Sequence, residues 1–262
     1  MFKVQKIAFA SALVFFLGSA SAESEISPIP KVTNEWRSSI TPYVWGPGLM
    51  TTVKNNNGPV SSADFSMGQV LSNLKSGVMG ASEIHKGKWG VMTDMFFATL
   101  QNTGSFNATD STGSARVADK ITLQATVLTG SALYTVVDTK DLNMDVLLGV
   151  RAAFATASLS LNDRATSVNA STTFNTIDPI AGFKGRYRLA DSTWYVPFYA
   201  DAGGGGGTTS LTWQAMLGVG KAITNSFDVS LVYRALYADL RGEGSEMKAN
   251  LKGPQLNLTF NF

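Results

Sequence analysis

The sequence predicts an all-β fold: a transmembrane antiparallel up-and-down β-barrel of about ten strands, eight to twelve by the same count. Three observations lead there. Apolar and polar residues alternate with period two through most of the chain. The charges in these segments collect on one strand face. Aromatic residues open the strands that follow the shortest connections.

The N-terminus is read separately. "MFKVQKIAFASALVFFLGSASAES" places Lys3 and Lys6 before the apolar run Ile7 to Leu17, followed by Ala20-Ser21-Ala22. A charged start, a short apolar core and an A-x-A site predict a signal peptide over 1–22, cut after Ala22. Its loss takes two of the 21 basic residues and leaves 19, equal to the 19 acidic ones. The mature chain is then neutral and has no basic patch for nucleic acid. Residues 23–35, "ESEISPIPKVTNE", read as a flexible lead-in, and 36–262 as the barrel.

Strand-like alternation then recurs over 36–46, 77–86, 89–102, 119–135, 143–159, 172–188, 194–203, 209–222, 227–240 and 249–262. The clearest case is "LNMDVLLGVRAAF". Leu142, Met144, Val146, Leu148, Val150, Ala152 and Phe154 share one face, and Asn143, Asp145, Leu147, Gly149 and Arg151 the other. A helix would need apolar residues three or four apart. Links 86–88, 137–142, 190–193 and 224–226 are short; 47–76, 103–118 and 160–171 are long and rich in Ser, Thr, Asn and Gly. Short links at one end and long ones at the other suit an up-and-down barrel. "FSMGQVLSNLKSG" (65–77) alone has helical spacing, through Phe65, Val70, Leu71 and Leu74, and is expected to fold over or into one end. "GGGGG" (203–207) lacks the Lys-Ser/Thr ending of a phosphate loop and reads as a hairpin tip.

The polar face distinguishes a membrane barrel from a soluble one. By parity it carries Glu83, Asp94, Asp145, Asp178, Asp201 and Asp228 with Arg37, Arg151, Lys184, Arg186 and Arg234. Six acids facing five bases form a set of ion pairs, whereas a wet outer surface would scatter its charges over both parities. The apolar face runs free of charge for the nine or ten residues that a tilted strand needs to cross a bilayer. Trp89, Trp194 and Phe227 each follow a short link, Trp36 opens the first strand, and Phe262 ends the last. All five fall at one rim, as in an interfacial girdle.

In order and spacing, "WRSSITPYVW" (36–45), "GKWGVMTDMFF" (87–97), "DVLLGVR" (145–151), "DPIAGFKGRY" (178–187), "YVPFYADAGG" (195–204), "LTWQAMLGVG" (211–220), "DVSLVYR" (228–234) and the aromatic ending resemble a family of small, mostly uncharacterised outer-membrane β-barrel proteins of Gram-negative bacteria. The resemblance implies the outer membrane as location, with outer-membrane lipids around a monomer. It also implies that Leu258, Phe260 and Phe262 form the signal read by the barrel assembly machinery. It brings no catalytic or transport residues.

The chemistry offers few alternatives. The chain has no cysteine, which excludes thiolate metal sites and thiol catalysis. His85, the sole histidine, lies beside a short link and faces the lumen, so it reads as a rim residue and not as a general base. No enzyme activity, cofactor or metal is expected. The inward charges themselves read first as an ion-paired structural network and second as a charged constriction. The leading functional expectation is a narrow, porin-like pore for ions or small polar solutes. The rival is a structural or surface-interaction barrel whose ion-paired lumen is closed. A lipid-modifying enzyme ranks third.

Overall fold

The computed structural model describes residues 26–55, 61–110, 113–162, 167–205, 209–242 and 245–262. The expected signal peptide lies outside the described residues. The strands, in chain order, are β1 (Trp36–Trp45), β2 (Gly48–Asn55), β3 (Ser61–Phe65), β4 (Leu74–Lys86), β5 (Trp89–Asp110), β6 (Gly113–Asp138), β7 (Leu142–Asn162), β8 (Ser167–Arg188), β9 (Trp194–Gly203), β10 (Thr209–Ala222), β11 (Phe227–Gly242) and β12 (Ser245–Asn261). One helix, α1 (Met67–Ser72), separates β3 from β4.

The twelve strands occupy ten positions around a closed antiparallel barrel. The order is β1-β4-β5-β6-β7-β8-β9-β10-β11-β12, and β12 pairs back onto β1 through Ser39↔Asn261, Ile40↔Phe260 and Tyr43↔Asn257. Phe262 exchanges two backbone hydrogen bonds with Ser38, at 2.8 and 3.1 Å. Closure of this kind leaves no free edge at the seam.

The tenth position is shared. β1 pairs with Gln255 to Asn261 of β12, and β2 pairs with Ser245–Lys252 of the same strand, so β1 and β2 run end to end. The break between them is Gly46-Pro47, where Gly46 still donates its N–H to Pro254 O (3.0 Å). β3 then folds back on β2.

Three expectations about the elements change here. The helix is shorter than 65–77: Phe65 ends β3 and Leu74 begins β4. Ser66 caps α1, its Oγ accepting from the Gln69 N–H (3.3 Å) while Gln69 Oε1 accepts from the Ser66 N–H (2.9 Å). The helix packs over Gly46 and against β2 and β3, not inside the barrel. The long link 103–118 is also not a loop, because β5 and β6 stay paired as far as Asp110↔Gly113. β7 and β8 likewise pair out to Asn162↔Ser167. In the Gly run, Gly204 and Gly205 adopt φ of 142° and 81°, which glycine alone tolerates freely; 206 and 207 lie outside the described residues.

The outer face is apolar. Ile40, Val44, Val91, Met95, Leu128, Leu148, Val150, Ile177, Leu217, Leu231, Leu256 and Leu258 all stand exposed on it, a band that water would not tolerate. At the short-turn end Trp36, Trp89, Trp194 and Phe262 are exposed in a ring. Trp89 meets Tyr134 edge-on at 4.9 Å, while Lys86 lies 5.3 Å over Trp36 and Lys221 5.3 Å over Trp194. A membrane-spanning strand needs 9–11 residues, and β9 has 10. β5, β6, β7 and β8 have 22, 26, 21 and 22, and therefore rise as a tall wall beyond the apolar band at the other end.

Candidate functional site

The candidate site is the barrel interior, because strand parity sends every second side chain there. All eleven charges selected by parity point inward, but they do not form one continuous network. They divide into two sealed centres near mid-barrel and an open chamber at the short-turn end.

The first centre is Arg234 of β11, with no exposed surface. Its Nη1 donates to Tyr43 Oη (2.9 Å) and Gln255 Oε1 (3.2 Å). Its Nη2 donates to Asp94 Oδ1 (2.9 Å) and Gln214 Oε1 (2.8 Å). The guanidinium also lies 4.8 Å from the Trp45 ring centroid. Five strands therefore converge on one cation. Such a buried charge is tolerable only because its hydrogen bonds replace water.

The second centre is Arg151 of β7. It donates to Asp201 Oδ2 (2.5 Å) and Thr212 Oγ1 (3.2 Å), and Tyr199 Oη donates to the same Asp201 oxygen (2.5 Å). Asp178, cross-strand from Arg151, accepts instead from Thr176 Oγ1 (2.9 Å).

Apolar side chains, the inward Leu147 among them, pack around these centres. Tyr43, Trp45, Phe96, Ala98, Val127 and Leu236 form one buried cluster, and Met92, Leu133, Leu147, Ile180 and Tyr199 another. Trp45 is 1% exposed and Arg151 2%, although both face the lumen. Inward side chains of an open channel would be wet; these are packed as in a protein core.

Below this layer lies a chamber of about 500 Å³, opening toward the short turns. Its walls carry the remaining charges. Lys184 pairs with Glu83, which also accepts from His85 Nε2 (3.3 Å). Arg186 pairs with Asp228 (3.0 Å), which accepts in addition from Tyr195 Oη (2.5 Å) and Asn261 Nδ2 (3.3 Å). Arg37 Nη2 meets His85 Nδ1 at 3.2 Å, and Thr135 Oγ1 donates to Asp145 Oδ1 (2.6 Å). Glycines shape this end: a Cβ at Gly90 would strike the His85 ring, and one at Gly220 the Tyr195 ring. Outside the chamber Lys140 and Asp191 join two turns at 3.2 Å, and this hydrogen bond raises the Lys140 ammonium above its ordinary pKa.

The chamber floor comes from the expected lead-in. Residues 27–31 line the chamber, with Pro28 and Ile29 buried. Arg186 Nη1 donates to Pro28 O (3.3 Å), and Gly87 N to Thr33 O (2.7 Å). The polar, Pro-containing sequence gave no sign of this seat. The neutral partners Tyr43, Tyr195, Tyr199, Gln214 and Gln255 were also not singled out, although inward parity on their strands would have selected them. No group of three or more His, Asp or Glu that could hold a metal occurs among the described residues.

No family model matches the chain, and no curated protein matches it. Solved structures do. The outer membrane protease OmpT from Escherichia coli aligns with 89% of this chain and 99% of its own, with a TM-score of 0.59 and 8% identity. The translocator domain of autotransporter NalP from Neisseria meningitidis aligns with 87% and 88%, at TM-score 0.39 and 14% identity. Ail, the attachment invasion locus protein of Yersinia pestis, aligns with 89% and 100%, at 0.34 and 12%. The likeness to OmpT is one of fold: this chain has the β-barrel fold of outer-membrane proteins of Gram-negative bacteria.

Proposed function

We propose that this chain is an integral, monomeric barrel of the bacterial outer membrane whose lumen is closed at rest, and that it acts through the tall β5–β8 wall it presents outside the cell. In this reading it is a structural or surface-interaction protein, with no enzymatic step assigned. The observation that carries it is the packed layer around Arg234, Trp45 and Arg151, inward side chains that are each at most 2% exposed. The exposed apolar band and the Trp rim support placement among membrane lipids. Export through a signal peptide cut after Ala22 and assembly through Leu258, Phe260 and Phe262 belong to the same reading. The chamber favours a second one, a narrow pore for small polar solutes that opens only when the packed layer moves.

The absence of cysteine makes a direct topology test possible. In Asn102→Cys, on the exposed part of β5, a membrane-impermeant maleimide should label intact cells. In Thr139→Cys, on a short turn, label should enter only after the outer membrane is permeabilised. The reverse pattern would invert the orientation. Recovery of the chain in the soluble periplasmic fraction would remove it from the membrane altogether.

A further inference from the structure

The charges around the short-turn chamber are unevenly used. Among the acids that line it, Glu83 is paired with Lys184, Asp228 with Arg186, and Asp94 with Arg234. On the barrel wall of the chamber, Arg37 and Asp145 are two opposite charges with no ion pair among the described residues, and they lie within each other's field. Arg37 makes one side-chain hydrogen bond among the described residues, to His85 Nδ1 (3.2 Å). Asp145 makes one as well, accepting at Oδ1 from Thr135 (2.6 Å), and Oδ2 has no hydrogen bond among the described residues.

Neutral groups orient both. His85 accepts from Arg37 through Nδ1, so it gives its Nε2–H to Glu83, and the imidazole is an uncharged spacer between the guanidinium and a carboxylate already held by Lys184. Gly90 across the strand pair leaves room for that ring. A guanidinium placed by a neutral acceptor keeps its charge for a ligand carboxylate, which it is suited to bind with two hydrogen bonds. A carboxylate placed by a hydroxyl keeps its charge for an ammonium in the same way.

We infer that this chamber binds a small zwitterion, an amino acid or short peptide, with its carboxylate on Arg37 and its ammonium on Asp145. The 500 Å³ volume lies in the range of small-molecule sites. Met92, Met216 and Val232 on the wall offer an apolar surface to the ligand's side chain. Since the packed layer closes the other side, the ligand enters at the short-turn mouth, past 27–31. Pro28 and Pro30 lack N–H groups, and a side-chain hydrogen bond from Arg186 ties the backbone of that segment to the wall.

The test is calorimetric titration of the refolded mature chain in detergent with L-leucine and with glycyl-leucine, alongside a variant beginning at Val32. Binding of a zwitterion to both proteins, tighter to the shortened one, is expected. 4-Methylpentanoate, which lacks the ammonium, and isopentylamine, which lacks the carboxylate, should each bind at least tenfold more weakly. Arg37→Gln and Asp145→Asn keep the hydrogen bonds to His85 and Thr135. They should each weaken L-leucine tenfold or more and erase its advantage over isopentylamine and over 4-methylpentanoate, respectively. No binding heat for either zwitterion with either protein overturns the inference, leaving a chamber of water only. Binding unaffected by both substitutions overturns it equally. The result is independent of whether the barrel conducts, so failure here leaves the closed-lumen reading standing.

Discussion

Arg234 shows how much depends on a single inward position. Its guanidinium holds Tyr43, Asp94, Gln214 and Gln255 together, and Asp94 has it as an ion-pair partner. Arg234→Ala should therefore leave a buried carboxylate without a cation and cost about 3–5 kcal/mol in chemical unfolding from lipid vesicles. Arg234→Ala combined with Asp94→Ala should cost clearly less than the two single losses added, because the second removes the stranded charge. Additive losses would mean that the pair is not coupled. At this scale the sequence was legible where chemistry and parity agreed: a charge on a period-two strand can only point to one side. It was illegible for Trp45, whose burial depends on Phe96 and Leu236 from distant strands. It was equally silent on Pro28 and Ile29, which no repeat pattern places.

Elements differ in how much of the fold they carry. The backbone of 104–110 pairs with that of 113–119 beyond the barrel proper, and Ala118 and Asp119 also pair with β7. Deleting 104–119 and rejoining β5 to β6 with a two-residue turn should leave folding intact and move the unfolding midpoint little. A collapse of assembly would show that the wall helps to build the barrel. The opposite holds for the last strand. Phe262 both closes the ladder onto Ser38 and belongs to the proposed assembly signal. Removing Phe262 should lower the amount of folded protein in the outer membrane several-fold while leaving refolding in detergent nearly unchanged. A loss in detergent as well would assign its effect to the ladder alone. Strand positions were readable from alternation, but the ends were not. Across 103–118, Ser, Thr, Gly and Asn supply little apolar contrast, so a paired hairpin looked like a loop. The same poverty of contrast hid β2 and β3. Phe65 and Leu74 met the helical spacing by chance and belong to the flanking strands.

At the level of the whole molecule, barrel closure was the most legible property. A final strand that alternates to its last residue needs a partner, and Trp36 to Trp45 supplies it. Whether the lumen is open was not legible, because it depends on how far side chains from opposite walls reach. Eleven inward charges fit a packed, ion-paired interior better than a charged constriction, but the same residues can line either. The proposed closed lumen rests on Arg234 and Arg151, 0% and 2% exposed, on Trp45 against the Arg234 guanidinium, and on a chamber that lies at the short-turn end. Planar-bilayer conductance of the refolded barrel reports directly on whether its lumen is closed. A closed lumen should pass no current above that of the bare membrane. Stable, ohmic single-channel steps from the unmodified protein would contradict it.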